Sequence, residues 1–247
     1  MYKMNIQVRY SEVDQHGKVP LHQIVEYFQD SGTFQSIALG LGVKGALEDG
    51  RAWYLLAWDI KVQRYPALCE KLTVITEPYK MRGFYGYRRY FIVDENGEQI
   101  AEADSNWILM NTKKMIPVKI SEELTRIYIP DAPDTTVRVK RKLSSEGEWK
   151  DVEQFIVSKI FLDSNRHVNN ANYISWAEDT LPEGRCVTGV KVDYRQSAFL
   201  HDEIFVSVSE EEPRWRVRYK NQEGTLLALV ELDTVAIEKS EEVAEDA

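Results

Sequence analysis

The chain has 247 residues, 43% of them hydrophobic and 29% charged, a composition typical of globular proteins and long enough for two domains. A formal net charge of −9 argues against general nucleic-acid binding, which needs a strong cationic surface. The two cysteines, Cys69 and Cys186, indicate neither a disulfide framework nor a zinc site. We expect no metal and no cofactor.

The first half of the chain begins with an extended segment, an aspartate and a polar turn, and continues into an amphipathic helix. Pro20 suits the first helical turn, and Gly40 and Gly42 favour an end to the helix. One apolar face is formed at helical spacing by Leu21, Ile24, Val25 and Phe28. Four strand-like segments then follow, near residues 53–64, 70–79, 84–94 and 99–111.

Residues 129–150 contain two prolines and many polar side chains, and we interpret them as a solvated linker between two halves. A basic cluster within the linker consists of Arg138, Lys140, Arg141 and Lys142.

The second half repeats the plan of the first. Residues 157–179 align without a gap with residues 8–30, so that Asp163 matches Asp14. Asn169 or Asn170 caps the second helix, whose apolar face is predicted at Tyr173, Ile174, Ala177 and Leu181. Four further strands are predicted near residues 187–194, 203–210, 214–220 and 225–237.

Each half therefore reads strand, helix and four strands, which predicts an α+β fold with a long helix wrapped by an antiparallel sheet. The predicted units are an N-terminal domain at 1–128, the linker, a C-terminal domain at 151–238 and an acidic tail at 239–247. The N-terminus lacks the apolar stretch of a secretory signal, and no apolar run reaches the roughly 18–20 residues of a membrane span, so we expect a cytoplasmic protein.

The residues that predict chemistry are Asp163, Asn165 and His167, which alternate just before the second helix. In an extended segment their side chains would share one side, next to the exposed N–H groups of a helix start. A carboxylate, an amide and an imidazole beside such N–H groups suit acyl transfer to water. The alternative is that they are ordinary turn and capping residues.

Two comparisons with the first copy favour the catalytic interpretation for the second copy alone. Asn170 stands where the first copy has the core-facing Leu21, and a polar residue that breaks a burial pattern often marks a functional site. The first copy keeps Asp14 but has His16 and Lys18 in place of the amide and imidazole.

The segment FLDSNRHVNNANYISW (161–176) resembles the signature of acyl-acyl carrier protein (acyl-ACP) thioesterases, a family of plastid and bacterial enzymes. VDYRQSAF (192–199) and the N-terminal VRYSEVDQHGKVPLHQIVEYFQDSG are similar to further family segments. The resemblance implies a tandem (double) hotdog fold and hydrolysis of fatty acyl-ACP, which releases free fatty acid in fatty acid biosynthesis. Ser197 and Ala198 depart from the Glu and Cys that family members commonly carry there.

This resemblance implies that Asp163, Asn165 and His167 are catalytic, with oxyanion-binding N–H groups near residues 168–170. The first half would line an acyl tunnel through WYLLAW (53–58) and FYGY (84–87). Candidate substrate-binding residues are Asn170, Ser197, Trp53, Trp58 and Tyr85.

The implied partner, acyl carrier protein, is acidic and would dock on basic residues. One candidate surface is the strand with Arg214, Arg216, Arg218 and Lys220. The competitors are Lys113, Lys114 and the basic cluster of the linker. Two alternatives stay open, a hotdog acyl-CoA thioesterase and a non-catalytic acyl-binding protein, and the sequence leaves the oligomeric state open, a homodimer included.

Overall fold

The structure is a computed structural model that describes residues 1–42, 50–131, 136–140, 142–211 and 214–237. The predicted acidic tail and Arg141 of the basic cluster lie outside the described residues. No helix in the described ranges is both long and apolar enough to cross a membrane.

The first half follows the predicted order of one strand, one helix and four strands. Its main elements are β1 (Tyr2–Gln7), α1 (Leu21–Ala38), β2 (Arg51–Val62), β3 (Lys71–Arg82), β4 (Tyr85–Asp94) and β5 (Gln99–Asn111). A short strand β6 (Ile116–Pro117) and a short helix α2 (Glu122–Tyr128) follow.

The second half repeats this order, which confirms the plan predicted from the repeat. Its elements are β7 (Lys150–Ile156), α3 (Asn170–Asp179), β8 (Arg185–Tyr194), β9 (Glu203–Glu211), β10 (Arg214–Asn221) and β11 (Leu226–Ala236).

Both helices begin and end for local chemical reasons. Pro20 precedes α1, and Gly40 after it adopts a φ of +75°, a left-handed conformation that favours glycine. The Asn169 side chain caps α3 by accepting the Ala171 N–H at 3.0 Å. The predicted apolar faces are buried, except that Leu181 lies beyond the end of α3 and is half-buried.

The strands form one antiparallel sheet with the order β1-β3-β4-β5-β2-β8-β11-β10-β9-β7, and β6 pairs with β5. The two halves contribute equivalent strands in mirrored order and join where β2 pairs with β8, from Ala57–Asp193 to Lys61–Gly189. α1 and α3 contact each other, and their apolar faces share one core with the sheet. The α+β class is confirmed, and the central pairing makes one continuous structure of the two copies.

The predicted linker is largely exposed, but it is also attached to the second half by specific contacts. Its residues 136–140 and 142–149, which we call the strap, carry buried side chains at Val139 and Leu143. The Leu143 N–H donates to the Asp193 carboxylate at 3.2 Å, and the Leu143 carbonyl accepts from Arg195 at 2.9 Å. These contacts come from distant strands, so the local composition of the linker does not predict them.

Two of the four basic residues predicted to dock acyl carrier protein hold the strap instead. The buried Arg216 donates to the Ser144 carbonyl at 3.3 Å, and it also donates to the Glu146 carbonyl. The guanidinium carbons of Arg216 and Arg218 lie 4.9 and 4.6 Å from the ring centre of Trp149. Arg216 and Arg218 are therefore not the free cationic face that their alternation along β10 predicted.

Candidate active site

A cavity of about 780 Å³ lies between the two halves. The first half contributes side chains of α1, β2, β4 and β5 to its lining, and the second half contributes the loop before α3 and the segment after β8. All three predicted catalytic residues line this shared cavity. Residues far apart in the sequence thus meet around one space that neither half encloses alone.

The loop from Asp163 to His167 is a tight turn and not the extended segment that the alternating spacing predicted. One Asp163 carboxylate oxygen accepts the backbone N–H groups of Asn165 at 2.8 Å and of His167 at 3.1 Å. Arg166 adopts a left-handed φ of +64° within the turn. The side chains converge because Asp163 closes the turn, not because of strand alternation.

The first copy contains the same turn. Asp14 accepts the backbone N–H groups of His16 at 2.8 Å and of Lys18 at 3.0 Å, and Gly17 has a φ of +68°. The aspartate common to both copies therefore shapes the loop in each. The chemical difference between the copies lies in the two side chains that follow it.

Asn165 and His167 are placed differently around that aspartate. The Asn165 amide donates to the second Asp163 oxygen at 3.3 Å. The His167 ring lies between two aromatic rings, 5.9 Å from the ring centre of Tyr54 and 4.9 Å from that of Phe199. Asp163 thus holds the amide, while packing from both halves orients the imidazole.

Of the backbone N–H groups predicted to bind an oxyanion at the start of α3, two already donate to protein carbonyls. Val168 already donates to the Ala198 carbonyl at 2.9 Å, and Asn169 donates to the Phe161 carbonyl at 2.8 Å. Asn170 is the one of these three whose N–H has no acceptor among the described residues. Its carbonyl accepts the Tyr194 hydroxyl at 2.8 Å, which fixes the first turn of the helix.

The predicted substrate-binding residues divide into two groups. Asn170, Ser197 and Trp53 line the cavity, whereas Trp58 and Tyr85 do not. Trp58 is fully buried in the core, where its ring packs against Tyr90 at 5.1 Å. Tyr85 lies on the face of β4 opposite its buried neighbours, because successive side chains of a strand alternate. Aromatic character alone did not distinguish these positions.

Several cavity residues were not singled out by the sequence. Tyr54 lies within the predicted lining segment 53–58, and its contact with His167 makes it part of the site. Burial, followed by the charge of Asp163, raises the pKa of Tyr54. Glu26 and Asp30 of α1 also line the cavity, and burial raises the pKa of each carboxyl. From the sequence, Glu26 and Asp30 could be placed on the first helix, but nothing indicated that they line a cavity.

Comparison with known proteins adds independent evidence on the family. A family model described as the acyl-ACP thioesterase N-terminal domain matches residues 1–128, and one described as the C-terminal domain matches residues 145–239. The chain belongs to the acyl-ACP thioesterase family. An oleoyl-acyl carrier protein thioesterase of Coriandrum sativum is 24% identical over 233 residues, which cover 85% of this chain and 63% of that protein.

Solved structures of similar proteins confirm the double hotdog fold. An acyl-ACP thioesterase from Bacteroides thetaiotaomicron has a TM-score of 0.83 at 20% identity, covering 94% of this chain and 97% of that one. The 12:0-ACP thioesterase from Umbellularia californica has a TM-score of 0.78 at 16% identity, covering 95% and 97%. The acyl-ACP thioesterase fold is shared over nearly the whole chain, although the chain spans less than two thirds of the length of the plant relatives.

Proposed function

We propose that this member of the acyl-ACP thioesterase family hydrolyses fatty acyl-ACP and releases free fatty acid in fatty acid biosynthesis. The observation that carries the proposal is the shared cavity, in which Asn165 and His167 lie on one wall and aromatic and aliphatic side chains of the first half form the other. A cavity of about 780 Å³ is within the range that holds an acyl group.

The proposed reaction is attack of water on the thioester carbonyl carbon. His167 takes a proton from the water as the new carbon–oxygen bond forms, and the carbon–sulfur bond then breaks. The proton passes to the departing thiolate, so the products are a carboxylic acid and a thiol. The Asn170 N–H stabilises the oxyanion, and the Asn165 amide orients the water.

Asp163 supports this reaction as a positioning residue. One of its oxygens already accepts two backbone N–H groups, and the other accepts the Asn165 amide. Both carboxylate oxygens are therefore occupied by donors of the same turn, and this arrangement suits a positioning residue. We therefore assign the general base to His167. Ser197 and Ala198 supply neither a carboxylate nor a thiol that could take that role.

The decisive experiment compares acyl-ACP and acyl-CoA substrates of varied chain length with wild-type protein, Asn165→Ala and His167→Ala. We expect turnover of acyl-ACP by the wild type and a loss of roughly 10²–10⁴ in rate for each variant. His16→Ala is the matched control, because His16 occupies the place of Asn165 in the first copy. Faster turnover of acyl-CoA would favour the acyl-CoA thioesterase, and tight binding without turnover the acyl-binding protein.

We also propose that acyl carrier protein docks near Lys113 and Lys114, in the exposed turn between β5 and β6. The Lys113 side chain lies over Gly50, and the next residue, Arg51, lines the cavity. Positive charge beside the exposed, cavity-lining Arg51 complements an acidic carrier. The cytoplasmic location and a homodimer stay predictions.

A further inference from the structure

The shared cavity contains a buried guanidinium away from the catalytic loop. Arg88 of β4 lines the cavity and is only 9% exposed. Its Nη1 donates to the Thr76 hydroxyl at 2.9 Å and to the Gln35 side-chain carbonyl. Both acceptors are neutral, and no carboxylate among the described residues pairs with Arg88.

A buried charge without a counter-charge is costly, so such a group commonly binds something. Arginine has five N–H donors, and only Nη1 of Arg88 is bonded to a protein acceptor among the described residues. The Nε and Nη2 donors of Arg88 remain available to a molecule in the cavity.

Other polar groups lie around this guanidinium and also line the cavity. The Tyr128 hydroxyl and the Ser36 hydroxyl are 2.9 Å apart, and the Arg88 guanidinium carbon lies 5.8 Å from the Tyr128 ring centre. The fully buried Tyr90 hydroxyl lies near Ser105 and Thr76 but makes no hydrogen bond of standard geometry. Burial raises the pKa of Tyr90 to about 12, so this hydroxyl keeps its proton.

The sheet register separates Arg88 from Tyr54, the residue of the first half that contacts His167. Tyr54, which contacts His167, pairs with Ile108, and Ile108 pairs with Tyr85 of β4. Arg88 is therefore two strands away from Tyr54 across the sheet, and three residues away along the strand direction. Each separation is about 10 Å. An acyl chain held at the catalytic loop would extend toward Arg88.

We propose that Arg88, with Tyr128, forms a polar subsite that binds an oxygen substituent on the far part of the acyl chain. The inference rests on the proposed function and specifies its substrate class as hydroxy-, oxo- or carboxy-substituted acyl groups. A plain methyl terminus would displace water from the guanidinium without replacing its hydrogen bonds, so it is disfavoured.

The test compares acyl-ACP substrates of equal chain length that end in a methyl group, a hydroxyl or a carboxylate. For wild type we expect a higher kcat/KM with the oxygen-bearing chains. Arg88→Met should lower the ratio of oxygenated to methyl-terminated substrates by about 10–100-fold, the effect of losing a hydrogen bond to a charged group. Arg88→Lys keeps the charge and should retain part of the preference.

Arg89→Met is the matched control, because Arg89 is the next residue on the same strand and lies over Tyr79 on the other face of the sheet. It should lower stability without changing the substrate ratio. A wild-type preference for methyl-terminated chains, or an unchanged ratio in Arg88→Met, would overturn the subsite.

Calorimetric binding of non-hydrolysable acyl-pantetheine amides gives the same comparison without turnover, and with wild type alone if Arg88→Met does not fold. Tighter binding of the oxygen-bearing amides supports the subsite, whereas equal or weaker binding contradicts it. Turnover of plain acyl-ACP with no preference would refute this inference and leave the proposed function standing.

Discussion

The ring of Tyr54 lies 5.9 Å from the ring of His167, although the two residues belong to different copies of the repeat. The candidate base of the second half is therefore oriented by a side chain of the first. The pairing of β2 with β8 holds this arrangement, because Tyr54 lies on the same strand as the paired residues.

We predict that Tyr54→Ala lowers kcat about 2- to 10-fold, whereas Tyr54→Phe keeps nearly full activity. The ring contact with His167 is lost in the first variant and preserved in the second, and an aromatic pair contributes about 0.5–1.5 kcal/mol. Steady-state kinetics with one acyl-ACP substrate would measure both effects. An equal loss in the two variants would instead assign the role to the hydroxyl.

Substitutions of Asp163 separate a positioning role from a role as base. Asp163→Asn keeps an oxygen that accepts the two backbone N–H groups and should retain much of the activity. Asp163→Ala opens the turn and should cost about 100-fold in kcat, because small displacements of reacting groups have effects of that size. If Asp163→Asn is as inactive as Asp163→Ala, the carboxylate itself takes the proton.

The matched variant in the first copy is Asp14→Ala, which opens the equivalent turn away from the chemistry. It should lower the free energy of unfolding by about 1 kcal/mol and leave kcat unchanged. Thermal unfolding measured beside the kinetics would show both results.

The strap predicts a stability effect at Arg216. Arg216→Met leaves the carbonyls of Ser144 and Glu146 without their donor and should destabilise the protein by about 2–3 kcal/mol. Urea unfolding would measure the change. Lys220→Met on the same strand is the control and should stay within about 0.5 kcal/mol of wild type.

Glu178 predicts a pH dependence of stability. Burial first, and then the charges of Asp179 and Asp14, raise its pKa to about 7. Because the folded state binds this proton more tightly than the unfolded state, stability should fall as the pH rises from about 4.5 to about 7. Glu178→Gln has no carboxyl group to ionise and so avoids this loss of stability. At pH 8 its free energy of unfolding should exceed that of wild type by at most about 3 kcal/mol.

At pH 4 the free energies of unfolding of wild type and Glu178→Gln should be nearly equal. Urea titrations at pH 4 and pH 8 would show whether the difference in the free energy of unfolding between the two proteins increases with pH. A gap of the same size at both would mean that the side-chain charge is not responsible.

The proposed docking site predicts that Lys113→Glu with Lys114→Glu raises KM for acyl-ACP at low salt, while an acyl-pantetheine substrate without the carrier is unaffected. The attraction is electrostatic, so the effect should shrink as salt screens it. The charge reversal at Arg214 is the comparison, because that residue already lies 3.5 Å from Asp233. If neither change affects acyl-ACP turnover, electrostatic docking at these two sites is refuted.

The sequence predicted those parts of the fold that depend on local periodicity. Leu21 and Phe28 lie on the same face of a helix whatever the tertiary arrangement. Because the second half aligns with the first, the sequence predicted its helix in the same way. It did not predict the strap, because the contacts of Leu143 with Asp193 and Arg195 join segments about 50 residues apart. Local composition contains no record of such contacts.

The sequence predicted that Asp163, Asn165 and His167 lie together, but it did not predict the geometry that brings them together. Asp163 and His167 line one cavity as expected, yet the Asx-type turn, not strand alternation, brings them there. Trp58 and Tyr85 were misassigned because the face of a strand that meets a cavity depends on bulges and on the partner helix. Arg88 was missed because an arginine in a strand is ordinarily solvated.

Because the two copies belong to one polypeptide, their sequences can differ from each other. In a pair of separate identical subunits, each substitution would appear twice, and any change at one loop would be imposed on the other. Here Asp14 holds a loop of the same shape, although His16 and Lys18 differ from Asn165 and His167. Under the proposed function, one copy is thereby free to accumulate residues that only hold and select the substrate, while the other is constrained by the reaction.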